Sequence, residues 1–139
     1  MKITLMDGVN YLKGLLLLIR KDRTVTDAES RLVKRIGRAL GFERTFCDNA
    51  IREILENRYI EDVPPEFSTK KVAVKFIKDG LALACSDKEV HPSEEAWLRS
   101  TAEKNGLGLT WFRHTLASTP QRIRRHFFLE AESLVVAYF

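Results

Sequence analysis

Apolar residues recur at helical spacing along most of the chain. Over residues 5–20 they fall at Leu5, Val9, Leu12, Leu15, Leu16 and Ile19, the three- and four-residue rhythm of one helix face. Lys21-Asp22-Arg23 breaks that rhythm. Thr26-Asp27-Ala28-Glu29 then has the form of a capping box, in which the Thr26 hydroxyl and the Glu29 carboxylate each satisfy a backbone amide of the first turn. The helix it opens carries Leu32, Val33, Ile36, Ala39 and Leu40 on one side and Gly41 at its end. A third helix is predicted over about 45–57, with Phe46, Ile51, Ile54 and Leu55 inward.

The Pro64-Pro65 pair in the linker 61–67 stops any helix. Ser68 is then placed to cap a fourth helix carrying Val72, Phe76, Ile77, Leu81 and Ala84. His91-Pro92-Ser93-Glu94 opens a fifth, with Pro92 at the first helical position and Gly106 beyond the end. A short helix over 110–117 and a last one from Thr119-Pro120 to the C-terminus complete the pattern. No segment has the two-residue alternation of a strand. The expectation is an all-α fold, a single helical bundle of about seven helices.

The pattern also repeats. Shifted by 65 residues, Val9 falls on Val74, Lys13 on Lys78, Leu16 on Leu81, Leu18 on Leu83, Asp22 on Asp87, Val25 on Val90, Glu29 on Glu94, Gly41 on Gly106 and Thr45 on Thr110. Phe46 meets Trp111. Order and identity agree at several levels, the mark of an internal duplication. The bundle is therefore read as one domain, 1–139, of two pseudo-symmetric helical-hairpin repeats. Repeat one spans about 5–57, the linker 61–67, repeat two about 68–117, and a C-terminal helix about 119–139.

Each repeat places an Asp after one helix and a Glu in the first turn of the next: Asp22 with Glu29, and Asp87 with Glu94. Carboxylates on separate backbone segments are what calcium and magnesium require. The same residues also have ordinary work, Glu as helix cap and Asp as turn former, and residue types alone favour that account. The doubled Asp-x-x-Val-x-x-x-Glu segment, in helical hairpins of this size, resembles the TerB-like (tellurite-resistance protein B) domain, over about 5–117. The resemblance implies an all-α bundle with internal symmetry and a non-enzymatic role in the bacterial cytoplasm, linked to tellurite or stress resistance. It also implies an acidic metal site of Asp22, Glu29, Asp87 and Glu94 for a divalent cation of the calcium or magnesium class. The family commonly has Gly after each Asp, where this chain has Arg23 and Lys88, and a cation beside each carboxylate weakens its pull on a divalent ion.

Composition narrows the alternatives. Apolar residues make up 45% of the chain and charged residues 30%, enough for a packed interior and too few charges for a disordered chain. The net charge of +4 is spread among interleaved acidic residues, so nucleic acid is not the expected partner and a protein is. The run Leu15–Ile19 is far too short to span a bilayer, and the first residues lack a signal-peptide layout. A cytoplasmic protein without membrane insertion follows. Cys47 and Cys85 stand far apart among apolar neighbours and read as free thiols. His91 aligns with Thr26 and reads as a cap. No phosphate loop or nucleophile elbow is present, so no enzyme is expected. Two alternatives remain. One is a helical protein-interaction adaptor without metal. The other is an anion or nucleic-acid binder acting through Arg122, Arg124 and Arg125 beside His126, a cluster that otherwise reads as a solvated helix face. The apolar end 134–139 is read either as docking into the core or as a homodimer contact.

Overall fold

A computed structural model describes residues 1–22, 26–57, 59–85, 90–125 and 129–137, with the backbone alone for Asp22, Arg122, Arg124 and Arg125. Its elements are β1 (Lys2–Thr4), α1 (Leu5–Ile19), a 3₁₀ turn (Arg20–Asp22), α2 (Asp27–Ala39), α3 (Arg44–Glu56), α4 (Lys70–Ala84), α5 (Pro92–Lys104), α6 (Leu109–Arg125), a second 3₁₀ turn (Glu130–Ser133) and β2 (Val135–Ala137). The all-helical class holds. Six α-helices stand among the described residues, where about seven were expected.

Local chemistry sets the helix starts. Thr4, Thr26 and Thr69 each accept a backbone amide of the turn they open, from Asp7, Glu29 and Val72, which satisfies donors that an α-helix leaves unpaired. Gly41 and Gly106 sit past the ends of α2 and α5 at φ +86° and +77°, a conformation that a side chain disfavours. Three helices begin 65 residues before three others: Leu5 and Lys70, Asp27 and Pro92, Arg44 and Leu109.

The centre of the molecule is the crossing of α1 and α4, each with ten of its fifteen residues buried. A helix apolar on nearly every side belongs in the interior. α2 and α3 pack on α1, α5 and α6 pack on α4, and α5 also touches α1. A Cβ at Gly14 would stand 2.8 Å from the Phe76 ring and 3.0 Å from Pro65, so the close approach requires glycine there. Tyr11, Phe67, Phe76 and Trp97 form a chain of ring contacts, with centroids 5.1 to 6.3 Å apart.

The linker after α3 is tied along its length. The Arg20 guanidinium donates to the carbonyls of Ile54 (3.2 Å), Asn57 (3.2 Å) and Ile60 (2.6 Å) and pairs with Asp62. From α5, Trp97 donates to the Asp62 carbonyl at 2.8 Å and Lys104 to that of Pro64 at 2.8 Å. Asn105 accepts the Phe67 amide at 2.8 Å and donates to the Pro65 carbonyl at 2.9 Å.

Five expectations change. Phe46, expected to point inward on α3, is exposed. The cap of α4 is Thr69, and Ser68 instead donates its amide and hydroxyl to the buried Asp7 carboxylate. The break expected near Pro120 is absent, because α6 runs through it. Pro120 faces outward, and its missing N–H releases a single carbonyl. Hydroxyls stitch the same stretch: Thr119 to the Thr115 carbonyl at 2.7 Å, and Thr115 to that of Trp111 at 2.8 Å. The C-terminal segment is not a long helix; beyond α6 it forms a 3₁₀ turn and a strand. That strand, β2, pairs in parallel with β1, with Ile3 opposite Val136. Three-residue strands are too short for alternation to register in the sequence. Leu134 and Val136 are buried against their own chain; Tyr138 and Phe139 lie outside the described residues. No described helix is long and apolar enough to cross a membrane.

Candidate functional site at the helix bends

Glu29 and Glu94 occupy the third position of α2 and α5, and both are buried, at 1% and 2% exposure. Glu29 Oε1 accepts the Thr26 amide at 3.1 Å and the Thr26 hydroxyl at 3.2 Å. Glu94 Oε1 accepts the His91 amide at 3.1 Å, while His91 Nδ1 accepts the Ser93 amide at 3.1 Å and lies 2.7 Å from the Ser93 hydroxyl. His91 therefore caps α5, as its alignment with Thr26 predicts. An imidazole can do this only with Nδ1 unprotonated.

The other candidates fall differently. The Asp22 side chain and the whole of Asp87, with Arg23 and Lys88, lie outside the described residues. So do the side chains of Arg122, Arg124 and Arg125 and the whole of His126. Among the described residues, no three or more His, Cys, Asp or Glu side chains gather in a way that would hold a metal ion. Cys47 is buried and Cys85 half-buried, and neither is held in a disulfide. Burial, aided by the Asp48 charge, pushes the Cys47 thiol up, which keeps it in the unreactive protonated form.

The most unusual polar group has no place in the motif. Asp79, 1% exposed, sits mid-helix in α4, where Gly14 sits in α1. Its carboxylate accepts the Tyr11 hydroxyl at 2.6 Å and the amides of Glu130 and Ala131 at 2.7 and 2.9 Å. It thus ties the C-terminal 3₁₀ turn onto the crossing of α1 and α4. Burial raises the Asp79 carboxyl to about 6, against the opposing pull of its three donors. Burial and then the Asp79 charge push the Tyr11 hydroxyl well above its ordinary value. The signal that could have drawn attention to Asp79, though not to its partner, is a carboxylate among the apolar positions Phe76, Ile77, Leu81 and Leu83.

Charge also organises the linker. Burial alone would raise the Asp62 carboxyl, but the hydrogen bonds and charges of Lys21 and Arg20 outweigh it and hold that group below its ordinary value. A cleft of about 390 Å³ opens between α1 and α3, lined by Val9, Leu12, Leu16, Phe46, Ile54 and Ile60 with Lys13, Asn49 and Glu53 alongside. Compared with known protein families, curated proteins and solved structures, the chain finds no match.

Proposed function

We propose that the chain is a duplicated, non-enzymatic helical domain of the TerB-like type, acting in the bacterial cytoplasm in a tellurite or stress response. Its two bends, Asp22 with Glu29 and Asp87 with Glu94, take a divalent cation of the calcium or magnesium class. The observation that carries this reading is the matched burial of Glu29 and Glu94 at the same position of two helices that begin 65 residues apart. A carboxylate held that deeply must be offset by donors or by a cation. The capping amides supply donors to Oε1 of each, and a second carboxylate stands seven residues earlier in both bends. Duplication is supported by the common offset of three helix pairs and by the repeated Thr cap and Gly stop.

Calorimetry with calcium, magnesium, manganese and zinc tests the reading. One of the four should bind the wild type, and Asp22→Asn/Asp87→Asn should abolish that heat while leaving the fold intact. Absence of heat with all four would remove the metal. The second reading, a helical adaptor without metal, is favoured by the apolar cleft between α1 and α3 and by Phe46, 47% exposed at its edge. In that case the protein carries out its role with no cation at either bend.

A further inference from the structure

A second concavity, of about 270 Å³, lies between the C-terminal half of α2 and the first turn of α3, lined by Lys34, Arg38, Phe42, Arg44 and Cys47. Three of these five residues are cations. Lys34 and Arg44 share a single carboxylate, Asp48, at the outer limit of ion pairing, 4.0 and 3.9 Å. Like charges around one hollow repel, and exposed pairs this long contribute little to stability. Folding does not call for them either. The positions 65 residues later on α5 and α6 hold Arg99, Glu103 and Leu109, one cation where the first set has three. The first turn of α3 borders the hollow through Arg44 and Cys47. Glu43, which caps α3, supplies no side-chain acceptor to that first turn, and helix N-terminal amides favour negative charge.

We propose that this pocket binds the phosphoryl group of a small phosphorylated molecule. Arg38 and Arg44 are the forked donors suited to phosphate oxygens, Lys34 is a point charge beside them, and the Phe42 ring is an apolar wall for the rest of the ligand. The volume suits a compact ligand. The protonated Cys47 thiol takes no part in chemistry. The site is independent of the bends, and it stands whether or not they hold a metal.

Pyrophosphate is the probe, with duplex DNA as the second arm. In calorimetry at low ionic strength, pyrophosphate should bind. Arg38→Gln/Arg44→Gln should weaken it at least about tenfold, as loss of charge-assisted hydrogen bonds would. Arg99→Gln, the matching cation on α5, should leave affinity unchanged. Both variants should keep the wild-type melting temperature, because the altered side chains lie on the surface. In amide NMR spectra the shifts should centre on Arg44, Thr45, Phe46 and Cys47. Unchanged affinity in the double variant, shifts centred elsewhere, or DNA binding without pyrophosphate binding would each overturn the proposal.

Discussion

Asp79 and Tyr11 meet in the interior, 68 residues apart in sequence, and the pair makes folding sensitive to pH. The Asp79 carboxyl titrates near 6 in the folded chain and near 3.9 when unfolded. The folded state therefore binds the proton more tightly. The resulting stability is fully present below the unfolded value and is lost as pH rises through about 6. Urea unfolding should show it: relative to Asp79→Asn, the wild type should lose roughly 2 kcal/mol between pH 4 and pH 7. An equal pH profile in the two proteins would mean that the burial is not felt. Sequence could not foresee this residue's role. Its partners are a tyrosine in α1 and two main-chain amides beyond α6, and periodicity marks which positions face inward without naming what they meet. Glu29 and Glu94 were legible because a cap is a local bargain between residues three apart.

At the scale of elements, helix starts followed the sequence closely, since caps and glycine stops act within one turn. The misreadings lie where longer connections decide. Pro120 sits inside α6 with its ring on the exposed face, and β2 exists because β1 lies beside it. The linker is the clearest case. Arg20 matches Cys85 in the 65-residue register, Trp97 matches Leu32, and Asn105 matches Leu40. Each of these mismatches holds the linker in place. Arg20→Ala removes a guanidinium that satisfies three carbonyls, and should cost about 2–3 kcal/mol. Hydrogen exchange should locate the loss: amides near Ile60 should exchange faster, with those of Leu16 and Leu81 still protected.

The molecule as a whole treats its two halves unequally. Pro65 lies over Gly14, and the C-terminal turn lies over Asp79 at the position 65 residues later. Each connecting segment thus rests on the central crossing, and α1 buries its faces against α2, α3, α4 and α5 together. The buried residues of both halves join in one continuous cluster. A fragment of residues 1–69 should show little helix by circular dichroism, and mixing it with residues 70–139 should restore the signal; a fragment that folds alone would contradict a shared core.

The pairing of β1 with β2 adds a mechanical consequence. The strands run parallel, with Lys2 beside Val135 and Thr4 beside Ala137. Tension applied before β1 and beyond β2 therefore pulls them along their common axis in opposite directions. The Val135 amide bond to the Met1 carbonyl, at 2.8 Å, is loaded together with its neighbours, not one after another as in an unzipping hairpin. This short ribbon is a shear clamp across a helical protein. Stretched by its ends, the domain yields only when the whole ribbon fails at once.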